Sequence, residues 1–160
     1  MAEPARETLL HGTAIALGRR AVLIRGPSGA GKSDLALRCL AVAPGGLIAT
    51  APLLVADDQV LVCARDGRLM VRAPATLEGL LEVRGIGIVR LPCLDEAELC
   101  LVADIAAPAE IERLPEPIPP FECCGVAIER RLIAPHEASA PLKLLLALAA
   151  CGRAGGTAVP

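Results

Sequence analysis

The stretch Gly26-Pro27-Ser28-Gly29-Ala30-Gly31-Lys32-Ser33 decides the fold, because it matches the pattern G-x-x-x-x-G-K-[ST] at every fixed position. Glycines in such a loop allow backbone conformations with positive φ, so that successive N–H groups converge on an anion. Lys32 can reach the β- and γ-phosphates of a nucleoside triphosphate, and the hydroxyl of Ser33 can ligate Mg²⁺. The stretch therefore predicts a phosphate-binding loop that contacts the nucleotide through all of these residues.

The segments on either side of this loop have the order that phosphate binding requires, a strand before it and a helix after it. Two apolar runs, residues 13–17 and 21–25, flank a Gly-Arg-Arg turn and predict a hairpin that leads into the loop. Residues 33–42 carry apolar side chains at helical spacing and predict a helix. We expect the N-terminal end of that helix to add partial positive charge to the phosphate site.

The rest of the chain predicts an α/β domain with a mixed sheet and several hairpins. We expect one P-loop kinase domain over residues 1–160, with residues 1–9 and 153–160 as frayed tails. The other predicted elements are strands at 53–56 and 99–105, a hairpin of 59–65 and 68–73 around Asp66-Gly67, an extended proline-rich connector at 115–120 and a buried helix at 141–151. Residues 76–83 are ambiguous.

Phosphoryl transfer also requires a carboxylate beside the phosphates. The apolar run 53–56 ends on Asp57 and Asp58, so a strand would carry two carboxylates to the edge of the sheet beside the loop. One member of such a pair can act as a base while the other holds a metal or its partner. The alternative is a solvated turn before the hairpin. Asp104 also ends an apolar run, but a single aspartate there is more typical of a turn.

Composition argues against several classes of function. The chain has a net charge of −2, one Phe and no Trp or Tyr, so neither a basic face nor stacking rings are expected for nucleic acid. No apolar stretch is long enough to span a bilayer, and no targeting signal is visible, which predicts a cytoplasmic protein without a membrane partner. Seven cysteines without a C-x-x-C pair predict reduced thiols.

Three stretches together resemble the catalytic domain of the HPr kinase/phosphorylase family. They are residues 26–33, residues 54–60 (Leu-Val-Ala-Asp-Asp-Gln-Val) and residues 81–89 (Leu-Glu-Val-Arg-Gly-Ile-Gly-Ile-Val). The third is the most specific, since Glu-x-Arg-Gly before an apolar Gly-Ile run is that family's signature. His11-Gly12 also stands where the family has His-Gly before its first hairpin. The similarity covers residues 10–105 well and the remainder weakly.

The resemblance implies a fold like that of phosphoenolpyruvate carboxykinase. It also implies an enzyme that uses ATP and Mg²⁺ to phosphorylate a serine of HPr, the small phosphocarrier protein of the bacterial sugar phosphotransferase system, or of an HPr-like protein. Members can reverse the reaction with phosphate and commonly assemble as hexamers. The short chain looks like a form without the N-terminal domain of full-length members, since ten residues precede His11.

The same resemblance implies a role for several residues. Lys32 clamps phosphate, Ser33 and Glu82 ligate Mg²⁺, and the pair Asp57/Asp58 supplies the base that takes the serine proton. The pattern favours Asp57 without separating the two. The resemblance adds His11 and Arg84 to the catalytic site. Read alone, His11 is an ordinary surface histidine, Glu82 and Arg84 form a surface ion pair on one strand face, and His136 is a surface residue with no role.

The chain departs from the family in two further places. Residues 43–52 look like an inserted loop. The family's last helix opens with a turn whose arginine approaches the phosphate, whereas residues 138–141 here are Ala-Ser-Ala-Pro. Lys143 or Arg130 are candidates to replace that arginine, and the reverse reaction is the activity that its absence puts in question.

Two other functions compete with the protein kinase. A guanylate-type small-molecule kinase also opens with Gly-Pro-Ser-Gly-x-Gly-Lys-Ser, but such enzymes hold guanine and its phosphate with tyrosines and a Ser-Arg-x-x-Arg stretch, which this chain lacks. A non-catalytic module that senses ATP would fit the missing arginine. The retained carboxylates at positions 57, 58 and 82 favour catalysis over sensing.

Overall fold

A computed structural model describes residues 6–151. This part of the chain contains thirteen helices and strands and two short 3₁₀ turns, at Ala75–Leu77 and Pro108–Glu110. In chain order they are β1 (Thr8–His11), β2 (Thr13–Leu17), β3 (Arg20–Arg25), α1 (Lys32–Leu40), β4 (Leu53–Ala56), β5 (Gln59–Arg65), β6 (Arg68–Arg72), β7 (Leu80–Val83), β8 (Gly87–Arg90), β9 (Ala97–Ile105), β10 (Phe121–Cys123), β11 (Val126–Ile133) and α2 (Ala140–Ala150).

Most strands form one mixed sheet in the order β1-β5-β6-β9-β3-β2-β4, with β11 paired to β9 and β10 to β11. The β3–β9 and β9–β11 pairs are parallel and the other pairs are antiparallel. The hairpin β7–β8 forms a separate two-stranded sheet. The structure thus confirms the predicted α/β class with a mixed sheet and hairpins.

Strand β3 is the centre of the fold because both of its faces are buried. Val22 and Ile24 belong to a cluster that contains residues of α1 and α2, whereas Ala21 and Leu23 belong to a second cluster on the other face. Alternate residues of a strand point to opposite faces, so this continuous apolar run packs on both sides. The burial fixes the end of β3, from which the phosphate loop starts. Within residues 6–151, no helix is long and apolar enough to cross a membrane.

The local predictions agree with the structure more closely than the long-range ones. The hairpin before the loop, the first helix, the strand at 53–56, the hairpin around Asp66-Gly67 and the last helix are confirmed within two residues at each end. The predicted frayed tail is wrong at Thr8 and Leu9, which pair with β5. Residues 1–5 and 153–160 lie outside the described residues. Sequence reasoning missed β10 and β11 and left β7 unassigned.

Two buried cysteine thiols, those of Cys39 and Cys151, should react slowly. All seven cysteines are free, and burial raises the pKa of Cys39 and of Cys151 to about 12, with the Glu129 carboxylate adding to the effect at Cys151. Since the thiolate is the reactive form, both should resist iodoacetamide at pH 8, while exposed Cys124 reacts. Peptide mass spectrometry after brief alkylation measures this. Labelling in urea is the control, and equal labelling of all three in the folded protein would contradict it.

Candidate functional site

A cavity of about 610 Å³ opens where β3, the phosphate loop and α1 meet. Its volume is in the ordinary range for a small-molecule site. Gly31 caps the N-terminus of α1 with φ of 99°, in the left-handed region, and a Cβ built there would lie 3.0 Å from Cε1 of His136. Glycine is therefore required at this position for its conformation and for the close approach. The loop presents the N-terminus of a nine-residue helix to the cavity, as the sequence predicted.

The side chain of Lys32 holds the phosphate loop together by donating hydrogen bonds to carbonyl groups of the loop. Its Nζ donates hydrogen bonds to the carbonyl oxygens of Gly26 at 2.8 Å and Pro27 at 2.9 Å. An ammonium group has three donors, so the contacts leave a hydrogen to offer to an anion in the cavity. The lysine is placed to bridge the loop backbone and a bound phosphate.

Asp57 is a buried carboxylate with an exposed fraction of 7%. The antiparallel pairing of β2 with β4, in which Ala14 lies opposite Ala56, brings Thr13 beside it. Its Oδ1 accepts hydrogen bonds from the hydroxyls of Thr13 at 2.9 Å and Ser33 at 2.7 Å, and its Oδ2 accepts one from the backbone N–H of Glu82 at 3.1 Å. Asp57 thus joins β2, the start of α1 and the hairpin β7–β8 around one carboxylate.

Asp58 lines the same cavity but has a different environment. Its side chain is exposed, and its backbone has φ of 67°, a conformation that aspartate tolerates better than most residues. Its carbonyl oxygen accepts a hydrogen bond from the N–H of Gly12 at 3.1 Å. A Cβ on Gly12 would lie 2.7 Å from the carbonyl oxygen of Ile24, so the segment after His11 passes close over the end of β3. This packing holds His11 at the rim of the cavity.

The predicted carboxylate and arginine of the third stretch also line the cavity. Glu82 lies in β7 and Arg84 follows it, and both side chains are exposed. Among the ion pairs of residues 6–151, none joins these two side chains. The alternative of a surface ion pair is therefore not what the structure shows.

Two predicted substitutes for the missing arginine lie elsewhere. Arg130 forms an ion pair with Asp104 at 3.1 Å, and Lys143 forms one with Glu137 at 2.6 Å. Neither side chain lines the cavity. Asp104 is held by Arg25 as well, at 2.8 Å, so it belongs to an ion-pair network at the ends of β3 and β9 and not to a solvated turn.

Sequence reasoning did not assign five residues of the cavity wall to the site, namely Thr13, Asp34, Leu37, Val83 and His136. His136 is exposed, as predicted, but it lines the cavity against Gly31. It lies in the connection between β11 and α2, which no local motif marks as part of the site. The predicted site residues that line the cavity are His11, Gly26, Ser28, Gly29, Gly31, Lys32, Ser33, Asp57, Asp58, Glu82 and Arg84; Pro27 and Ala30 are in the loop but do not line it.

The charges at the cavity wall are unbalanced in favour of the acidic groups. Four carboxylates, on Asp34, Asp57, Asp58 and Glu82, and two permanent cations, on Lys32 and Arg84, line the cavity. Asp34 is paired with Arg38 at 3.0 Å, which leaves three carboxylates against two cations, a formal difference of −1 before the two histidines are counted. The side chains therefore do not neutralise a triphosphate unless a cation accompanies it. The wall therefore suits a phosphate ligand that carries a divalent metal.

Comparison with known proteins places this geometry in a family. The family model described as the HPr serine kinase C-terminal domain matches residues 2–94, more than half of the chain. The chain belongs to the HPr serine kinase C-terminal domain family. The match contains His11, the phosphate loop, the Asp57/Asp58 pair and Glu82, so the residues that line the cavity, apart from His136, fall inside the matched part of the chain.

Curated relatives carry the name HPr kinase/phosphorylase. One from Clostridium tetani is 41% identical over 90 residues, which are 56% of this chain and 27% of the relative. One from Limosilactobacillus reuteri is 42% identical over 86 residues, 53% of this chain and 24% of the relative. The chain thus spans about a quarter of the length of the curated relatives it matches.

A solved structure shows the same fold over most of the chain. The Hpr(Ser) kinase/phosphatase from Coxiella burnetii superimposes with a TM-score of 0.73 at 21% identity, covering 88% of this chain and 93% of the solved chain. The likeness extends beyond the residues that the family model matches. The similarity of fold therefore extends into the second half of this chain, whose sequence gave only weak similarity.

Proposed function

We propose that this chain is an ATP-dependent protein-serine kinase that phosphorylates HPr or an HPr-like phosphocarrier. The observation that carries the proposal is the convergence of Ser33, Thr13 and the Glu82 amide on Asp57, beside a phosphate loop and next to the open carboxylate of Asp58. Phosphoryl transfer needs positioning and charge stabilisation more than covalent chemistry, and this cavity offers both. The names of the relatives support HPr as the acceptor.

The donor set of the cavity fits Mg²⁺. The hydroxyl of Ser33 and the carboxylates of Asp57 and Glu82 are hard oxygen donors, which Mg²⁺ prefers. No group of three metal-binding side chains that could hold an ion by itself occurs within residues 6–151. When bound in the cavity, the metal supplies charge neutralisation to the β- and γ-phosphates.

We assign the transfer steps to this chain's residues as follows. The N–H groups of the loop and Lys32 hold the β- and γ-phosphates. Lys32 now donates to the carbonyl oxygens of Gly26 and Pro27, and it redirects part of this donation to the phosphate when the nucleotide binds. The serine oxygen of the acceptor forms a bond to the γ-phosphorus. The bond between the γ-phosphorus and the oxygen that bridges it to the β-phosphorus breaks, and the electron pair of that bond remains with ADP. The serine proton passes to an aspartate carboxylate.

Hydrogen bonding divides the roles of the two aspartates. Asp57 already accepts three hydrogen bonds and is buried, so it is suited to orienting Ser33 and the metal site. The carboxylate of Asp58 is exposed at the cavity, where an acceptor serine can reach it. We therefore assign the base to Asp58, although the sequence pattern favoured Asp57.

A transfer assay tests the proposal. The protein is incubated with γ-labelled ATP, Mg²⁺ and purified HPr, and in parallel with GMP as acceptor. We expect label on one HPr serine, identified by mass spectrometry, and loss of the label transfer in EDTA. Label on GMP would favour the guanylate-type kinase, and nucleotide binding without transfer to either acceptor would favour an ATP sensor. Adding phosphate to phosphorylated HPr measures the reverse reaction.

The resemblance to the family also implies that the protein is a hexamer and that it is cytoplasmic. We propose both on the basis of that resemblance alone. Light scattering on the preparation used for the transfer assay measures the molar mass of the assembly and so the number of its subunits. The kinase proposal itself does not depend on the outcome, because all the residues assigned to the transfer belong to one chain.

A further inference from the structure

Two large apolar side chains are exposed at the end of the β7–β8 hairpin. Ile86 has an exposed fraction of 75% and Ile88 of 71%. They lie in the segment after Glu82 and Arg84, two residues that line the phosphate cavity. Isolated exposed apolar residues are common, but two close together beside a functional cavity mark a candidate contact surface. We call Ile86 and Ile88 the isoleucine tip.

Strand register places Ile88 on the same face of the hairpin as Glu82. Ile88 is directly opposite Glu82 in the antiparallel pairing, and directly opposite side chains lie on the same face. Glu82 lines the cavity, and so does its neighbour Val83 on the other face, so Ile88 lies one cross-strand pair away from the cavity wall. The neighbouring pair, Leu81 and Val89, lies on the other face and belongs to the core below α1.

The base of the hairpin is anchored, so the exposure of the tip is a property of the folded chain. Leu81 is fully buried, and Val83 and Val89 pack against the same cluster. The N–H of Leu91 donates to the carbonyl oxygen of Gly79 at 2.8 Å, which closes the base of the hairpin. The tip extends from this anchored base into solvent.

We propose that the isoleucine tip is a docking surface for the acceptor protein, and that it contacts apolar side chains beside the serine to be phosphorylated. This inference rests on the proposed kinase function. A carboxylate assigned to the metal at the β- and γ-phosphates, Glu82, stands on the same face as Ile88, so the tip lies at the γ-phosphate end of the site. The acceptor must approach that end, whereas the nucleoside extends away from it.

The chemistry of the tip indicates the class of acceptor. A small polar acceptor such as a sugar or a nucleotide gains little from two solvent-exposed isoleucines, while a protein surface with apolar residues around its serine can cover both. The carboxylates of the cavity do not attract an apolar protein surface, whereas the tip offers exposed apolar area to one. The occupant is therefore a folded protein with an apolar patch next to its acceptor serine.

Steady-state kinetics of Ile86→Ser, Ile88→Ser and the double variant test this. We expect the KM for HPr to rise about tenfold in each single variant and further in the double variant, because each change removes apolar area from the contact. The KM for ATP should stay unchanged. Ile88→Leu should keep the wild-type KM for HPr, and Leu114→Ser is a matched control, since Leu114 is 89% exposed in the connector before β10 and does not line the cavity.

The outcomes separate this inference from the proposed function. If the wild type transfers no label to any protein serine, the kinase proposal fails. If the wild type is active and the double variant keeps the wild-type KM for HPr, the docking surface is wrong and the kinase proposal stands. Light scattering on the same variants completes the test. A change of oligomeric state in the double variant would overturn the docking proposal in favour of a contact between copies of this chain.

Discussion

Replacing Lys32 with alanine is expected to lower kcat/KM for phosphorylation of HPr by about 10²- to 10³-fold, the usual effect of removing one fixed donor from a developing charge. The ammonium group of Lys32 is held by the carbonyl oxygens of Gly26 and Pro27, beside the expected position of the phosphates. Within the described residues, no other lysine lines the cavity. Affinity for ATP should fall as well, because the lysine contacts phosphate in the ground state and in the transition state.

The fold should survive this substitution. Lys32 is half-buried and its contacts in the structure are two hydrogen bonds to its own loop, so we expect a loss of unfolding free energy below about 2 kcal/mol. Single-turnover assays with labelled ATP and a thermal unfolding curve measure the two effects.

The matched control for this prediction is Lys143→Ala. Lys143 is exposed on α2, pairs with Glu137 and does not line the cavity, so its loss should leave transfer unchanged. That control also tests whether Lys143 replaces the family's missing arginine. Normal kinase activity in Lys32→Ala would show that the loop at 26–33 is not the phosphate site.

The sequence predicted those parts of the fold that are encoded within a few neighbouring residues. The phosphate loop, the helix after it and the hairpin around Asp66-Gly67 each have a local signal, in glycine spacing, helical periodicity or turn chemistry. Most of the predicted site residues line one cavity in the structure for the same reason, since they lie in the loop itself or directly at the end of a strand.

The parts that were missed depend on contacts between distant segments. Strand β11 exists because it adds in parallel to β9, and β1 because it pairs with β5; neither partner can be seen in the segment itself. His136 reaches Gly31 across more than a hundred residues of chain, and its environment has no sequence pattern. Tertiary pairing decides such elements, so propensity alone could not have found them.

The adjacent aspartates show the same limit within the site. Asp57 and Asp58 are equivalent in a sequence pattern and both line the cavity, yet the carboxylate of Asp57 is buried at the end of β4, whereas Asp58, with its positive φ, is exposed. The two environments differ because the hydroxyls of Thr13 and Ser33 donate hydrogen bonds to Asp57. Both residues lie far from position 57 in the chain. Only the folded structure separates the two roles.

The second large effect is expected from Asp58→Asn. This variant should bind ATP with normal affinity and lose transfer to HPr by about 10²- to 10⁴-fold, since an amide cannot take the serine proton. Asp57→Asn should behave differently. It replaces an acceptor of the Thr13 and Ser33 hydroxyls with a group that is in part a donor, so the KM for ATP and the Mg²⁺ requirement should rise together with the fall in kcat.

Asp66→Asn provides the matched control for this comparison. Asp66 is an exposed aspartate with φ of 52° in the turn between β5 and β6, so the substitution repeats the chemistry and backbone conformation of the Asp58 change outside the cavity. Its activity should equal the wild type. If Asp58→Asn is active while Asp57→Asn binds ATP and Mg²⁺ normally but cannot transfer, the proton goes to Asp57. In that case the three hydrogen bonds of Asp57 orient the base itself, and the role of Asp58 is restricted to the turn.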